Sequence, residues 1–226
     1  ERGWLTATMA AEQSRTASGG QHSILKGLLD KRVLALSLVY FGTSAGLYTL
    51  GIWSPQIIKT LGLSDLTIGF VNAVPAVVAV LAMVLWAKHS DKTNERSWHA
   101  IAACLLAAVG LCFAGNAGTI LTVLCALTLV NCGISAAKPP LWSMPTLFLS
   151  GSAAAAGIAT INSIGNLGGF VGPFMIGLIK EHTGSFSWGL YFVAALLVVS
   201  SFIVFLLSVK APERPLDAPL THREHH

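Results

Sequence analysis

The side chains of this sequence that could do chemistry are few, and they are suited to binding rather than bond-making. Tyr40, Tyr48, Thr49, Asn131, Lys138, Trp142, Asn162 and Asn166 lie within long apolar runs. Hydroxyls, amides and an indole N–H offer hydrogen bonds, and Lys138 offers a cation. Such groups are costly against hydrocarbon, so they are expected to face a protein neighbour or a polar cavity. The carboxylates lie elsewhere: Glu1, Glu12, Asp30, Asp65, Asp91, Glu95, Glu181, Glu213, Asp217 and Glu224 all fall in expected loops or tails. The seven histidines also lie outside the runs or at their edges. A membrane aspartyl protease needs two buried carboxylates, a zinc protease a His-Glu set, and a rhomboid-type serine protease a membrane-level histidine. None can be assembled, and no catalytic residue, metal or cofactor is expected. Proton coupling through a buried carboxylate would need an acid from another segment or chain.

Each candidate has two readings. Lys138 is either a cation facing a cavity, where it attracts an anion or borders a gate, or an interfacial lysine snorkelling to lipid phosphates. Trp142 and Asn162 suit the wall of a polar cavity, or an interfacial indole and an interhelical hydrogen bond. Tyr40, Tyr48 and Thr49 give the first span a polar stripe, and Asn131 does the same for the fourth. Asn166 leans toward a structural role among its glycines.

The elements that must position these groups are membrane helices. The 226 residues are 54% hydrophobic and only 11% charged, with a mean hydropathy of +0.68. A soluble domain carries about 25% charged residues. The charges cluster between apolar runs, so an all-α, polytopic membrane protein is expected. Six spans are expected at about 33–58, 67–87, 98–114, 119–149, 153–179 and 186–209, with Pro139-Pro140 breaking the fourth. The fifth is rich in glycine. Gly165/Gly169 and Gly168/Gly172 form overlapping small-xxx-small pairs that let a second helix approach closely. The third and sixth spans carry almost no polar residues and are expected to face lipid. Residues 1–32 are expected to be a cytosolic segment and 210–226 a cytosolic tail.

Six spans put both ends on one side. Eleven of the 14 basic residues flank that side, with Lys59 and Lys180 opposite and Lys138 ambiguous. The positive-inside rule then places both termini in the cytosol. The net charge of +4 is explained by topology, and no nucleic-acid partner is expected. Cys104, Cys112, Cys125 and Cys132 form no CxxC pair and read as packing residues. The chain opens on Glu1 without a signal-peptide pattern, and is expected to continue something longer or to be trimmed.

Several motifs carry a family resemblance. Ser90-Asp91-Lys92-Thr93-Asn94-Glu95-Arg96-Ser97-Trp98-His99 resembles the S-D-[RK]-x-x-E-R-x-x-H loop of major facilitator transporters, in particular their anion:cation symporter branch of phthalate, tartrate and sugar-acid permeases. The stretch from Tyr48 through Trp53 and Pro55 to Lys59 is similar to that branch's Y-x-x-x-F/I-W-x-P-x-I-I-K signature. Pro140-Leu141-Trp142-Ser143-Met144-Pro145-Thr146 resembles P-F-W-x-x-P-T, with Leu141 in place of the usual Phe. Residues 159–173 are similar to A-x-I-N-S-x-G-N-L-G-G-F-x-G-P, the most specific match. Trp4-Leu5 and Ala11-Glu12 resemble the end of the branch's central cytosolic loop.

The resemblance implies helices 7 to 12 of a twelve-helix transporter in the inner (plasma) membrane. Its partners would be an N-terminal six-helix half, the lipid bilayer, a small organic anion and a proton. It implies that spans one, two, four and five line the cavity, that Trp142 and Asn162 meet the substrate, and that the proton and anion residues lie in the other half. Lys138 stands where an uncharged residue is expected. Asp91, Lys92, Glu95 and Arg96 would form a cytosolic gating loop whose charge contacts break as the bundles rock. The contrasting expectation is a non-transporting six-span interaction protein, or a truncated product needing a partner chain. A half-size homodimer would leave the central site without an acid.

Overall fold

The computed structural model describes residues 27–210 except Thr60, Leu61 and Leu63. Most of the expected cytosolic segment and nearly all of the tail therefore lie outside the described residues.

Six long helices follow one another: α1 (Lys31–Lys59), α2 (Asp65–Thr93), α3 (Ser97–Gly115), α4 (Ile120–Ser143), α5 (Gly151–Thr183) and α6 (Ser187–Lys210), with a 3₁₀ turn at Pro145–Leu147 after α4. No strand occurs among the described residues. Five helical segments, Ile120–Leu147 among them, are long and apolar enough to cross a membrane. The exception is α5, whose 33 residues are long enough at about 1.5 Å each but diluted in apolar content by glycine, serine and asparagine. Packing against α1 holds it in the bundle.

Most helices overrun their expected spans, α2 by the most, whereas α4 is shorter than its own, and the starts of α2 and α4 are capped. Ser64 accepts a hydrogen bond from the Thr67 N–H at the start of α2, and Thr119 with Thr122 forms a capping box on α4. Asn94 closes α2 in the left-handed region (φ 53°), which asparagine tolerates better than most residues. Lys88, Asp91 and Lys92, expected in a loop, therefore belong to the last turns of α2.

The expected break at Pro139-Pro140 is not found. α4 runs through both prolines to Ser143, and the irregular backbone comes later, at the 3₁₀ turn. Two rungs are still missing, because the Ser135 and Ala136 carbonyls have no N–H four residues on. Both prolines fall near the helix end, where little ladder remains to be disrupted.

The helices form two rows. In front, α5 packs on α1, α1 on α4, and α4 on α2; behind, α3 and α6 pack on each other and against the front row. Where α5 crosses α1, a Cβ on Gly165 would strike Tyr40, and one on Gly168 would strike the Phe41 carbonyl. A Cβ on Gly169 would come within 2.5 Å of the Tyr48 ring, and one on Gly172 within 2.8 Å of the Ala45 backbone. Only glycine permits this approach. Gly133 plays the same part between α4 and α3, where a Cβ would lie 2.5 Å from the Ala107 nitrogen.

The core divides into two main clusters. One surrounds Leu50, Ile58, Leu111, Leu127, Ile134, Ile176 and Leu197; the other surrounds Leu36, Val39, Leu141, Ile161 and Val204. Ser200 and Ser201 of α6 bond the Val39 and Ile101 carbonyls, crossing to α1 and α3. The outer faces of α3 and α6 expose Val109, Phe113, Val198, Phe202 and Phe205, an apolar surface suited to lipid.

Candidate functional site

The front row gathers most of the predicted polar residues. On α4, Asn131, Ser135, Lys138 and Trp142 recur at intervals of four, three and four, which places them on one face of the helix, and all four are half-buried. On α1, Tyr40 is half-buried and Tyr48, two turns on, is 46% exposed. The Tyr40 ring meets Trp142 edge-on, with centroids 4.9 Å apart and planes inclined by 65°. Tyr40 thus touches Gly165 on one side and Trp142 on the other. It joins α5, α1 and α4 at one point.

On α5, Asn162 and Asn166 are both exposed, and Asn166 Nδ2 donates to Asn162 Oδ1 at 2.9 Å. Their flank of the helix is the one that carries Gly169 against Tyr48. Among the described residues the two amides make no other hydrogen bond, so one –NH₂ and one carbonyl oxygen stay open to the front face.

One predicted residue is placed differently. Thr49 is 1% exposed, inside the bundle and apart from the front face, and its hydroxyl has no hydrogen-bond partner among the described residues. The Asn131 amide donates to the Leu127 carbonyl of its own helix at 2.8 Å, leaving its side-chain oxygen as the group it can offer. Ser44 was missed by sequence reasoning. It lies one turn from both Tyr40 and Tyr48, is 2% exposed, and its hydroxyl is likewise unpartnered among the described residues. The Tyr40-Ser44-Tyr48 spacing was the available signal.

The charged loop folds onto itself. Arg96 Nη1 pairs with Asp91 Oδ1 and donates to Ser90 Oγ at 3.1 Å, while Ser90 Oγ donates to the Glu95 carbonyl at 2.7 Å. The Glu95 carboxylate accepts from the backbone N–H of Trp98 (2.7 Å) and His99 (3.2 Å), so it caps the positive end of α3. Lys92 is exposed. At the opposite end, Lys180 lies over Phe186 at 4.0 Å and Trp53 at 5.6 Å. A cleft of about 370 Å³ there is lined by Pro55, Gln56, Lys59, Asp65, Ile68, Gly69 and Asn72. No cluster suited to a metal ion occurs among the described residues.

A front row with a polar face, a lipid-suited back row and crossings set by glycine define a polytopic membrane bundle. The sequence profile of the Major Facilitator Superfamily matches residues 4–173, and the chain belongs to that superfamily. Two proteins of Agrobacterium vitis, each named "Putative tartrate transporter", are similar to it. One is 70% identical over 99% of this chain and 52% of its own length. The other is 65% identical over 94% of this chain and 47% of its own. An Escherichia coli protein named "Inner membrane transport protein RhmT" is 32% identical over 92% of this chain and 48% of its own length. The chain spans about half the length of the curated relatives it matches.

Proposed function

We propose that this chain is the C-terminal six-helix half of a proton-coupled symporter for a small organic anion, a hydroxy dicarboxylate of the tartrate class or a sugar acid. The observation that carries this reading is the front face itself. Tyr40, Trp142, Lys138 and the Asn162–Asn166 pair supply one cation and several neutral hydrogen-bonding groups on neighbouring helices. A polyhydroxy carboxylate asks for that combination: charge for the carboxylate, amides and hydroxyls for its oxygens, and an aromatic wall that excludes water. The Ser135 carbonyl, without its helical N–H partner, adds an acceptor at the level of Lys138. The names of the two A. vitis relatives support the substrate class.

The opposing face of the site belongs to a second six-helix half, covalent or separate, which supplies the proton-binding acid. The two halves rock about the site in alternating access. Both termini face the cytosol, because 11 of the 14 Lys and Arg residues flank that side, and the membrane is the inner (plasma) membrane. Asp91, Lys92, Glu95 and Arg96 form the cytosolic gating loop, and Gly165, Gly168, Gly169 and Gly172 keep α5 close to α1 as the bundle moves.

The test is uptake of labelled tartrate by proteoliposomes holding the natural full-length protein, acidic outside. Accumulation above equilibrium that collapses with a proton ionophore is the expected result. Accumulation indifferent to the proton gradient would refute the coupling, and no uptake of any hydroxy acid would refute the substrate class.

A further inference from the structure

Outside the front face, one hydrogen-bonded chain of titratable groups crosses between two helices. His99 Nδ1 lies 2.8 Å from Glu95 Oε2, and His99 Nε2 lies 2.7 Å from His89 Nδ1. His89 is exposed near the end of α2, whereas His99 is buried in the first turn of α3. Trp86 covers both imidazoles, its ring centroid 6.4 Å from that of His89 and 5.0 Å from that of His99, and its indole N–H donates to the His99 carbonyl at 3.1 Å.

The bonding fixes the protons. The Glu95 carboxylate already accepts two backbone N–H groups, so it acts as an acceptor and His99 Nδ1 must donate to it. Neutral His99 then has a bare Nε2, and His89 Nδ1 must be the donor in that bond. A first added proton goes to the outward Nε2 of His89. It gives imidazolium, neutral imidazole and carboxylate in series, a charge-assisted chain along its whole length. A second proton would set N–H against N–H between the rings and break it.

We propose that His89, His99 and Glu95 form a proton-binding clamp between the end of α2 and the start of α3. One added proton leaves every bond of the chain in place and a second breaks the bond between the rings, so the junction holds the first proton and opens on the second. The junction matters because α2 packs chiefly on α4 and only lightly on α1. Its tie to α3 therefore bears on how freely that end moves. The neighbouring charges are Lys88, Asp91 and Lys92 on α2 and Arg96 in the turn, held on Asp91. On α4, Lys138 adjoins Ala137, which lies in the cluster packed by Trp86. The inner half of α6 contributes no described titratable side chain. That the clamp senses cytosolic rather than external pH rests on the orientation proposed above.

The test is a pH titration of Trp86 emission in the purified protein in lipid nanodiscs, taken as the difference from a Trp86→Phe variant, since imidazolium quenches indole. The parent should show a step as the pH is lowered. His89→Gln combined with His99→Gln, which keeps side-chain hydrogen-bonding groups but leaves no imidazole beside Trp86, should lose that step. Below that step, hydrogen exchange corrected for its intrinsic pH dependence should show residues 88–100 losing protection in the parent and unchanged in the double variant. A step that survives in the double variant, or flat protection in the parent, would each overturn the proposal. None of these readouts requires transport, so failure here and failure of the symporter reading are distinguishable.

Discussion

Gly168 of α5 rests against the main-chain carbonyl of Phe41 on α1 so closely that any side chain at that position would overlap backbone. A flexible neighbour could swing away; a carbonyl inside a helix cannot. Gly168→Ala should therefore separate the two helices and cost on the order of 1–3 kcal/mol, the usual range for overpacking, read as a lower melting temperature and reduced membrane yield. Among the described residues, no atom lies within 4 Å of where a Cβ on Gly51, on the same α1, would sit. Gly51→Ala should be neutral, or stabilising by up to about 1 kcal/mol through helix propensity. Equal effects of the two substitutions would contradict the crossing described here.

Trp142 and Tyr40 form the aromatic corner of the proposed site. Removing the indole loses both a wall and the edge contact with Tyr40, an aromatic pairing worth about 0.5–1.5 kcal/mol. Trp142→Ala should raise the KM for substrate on the order of tenfold with normal membrane insertion. Trp142→Phe, which keeps a ring against Tyr40, should fall between the variant and the parent. Saturation kinetics unchanged in Trp142→Ala would remove this residue from the site.

Asp91 pairs with Arg96 across the turn between α2 and α3. If that loop gates, its contacts are made in one state and exchanged in the other. Asp91→Asn should then lower turnover by several-fold while leaving substrate affinity within about twofold, comparing kcat from uptake with Kd from binding. Equal changes in both would favour a local structural role for the pair.

Much of this organisation was legible in the sequence because membrane packing leaves strong marks. The spacing of Asn131, Lys138 and Trp142 follows the helical repeat, and the glycines of α5 announce a close neighbour even though the sequence does not say which. Pro139-Pro140 misled, since proline near a helix end removes rungs without forcing a break. Thr49 looked equivalent to Tyr48, but adjacent helical positions are turned by about 100°, and that rotation takes it into the core. Ser44 escaped notice because a serine among apolar residues usually bonds its own helix, as Ser37 does with the Val33 carbonyl. The clamp was invisible because it depends on a left-handed Asn94 bringing His89 beside His99, a tertiary consequence with no pattern of its own.

The central claim is that the front face of this bundle holds a small hydroxy-carboxylate, and Asn162 tests it most directly. The residue is exposed, contacts Asn166 only through their shared hydrogen bond, and can be truncated without creating a cavity in the core. The measurement is the Kd for tartrate of the intact purified transporter and of its Asn162→Ala variant, with matching melting profiles for the two. Saturable binding that weakens on the order of tenfold, about the worth of one hydrogen bond in a partly dry site, is the predicted result. No tartrate binding by the parent, or the same Kd in both proteins, would contradict the account.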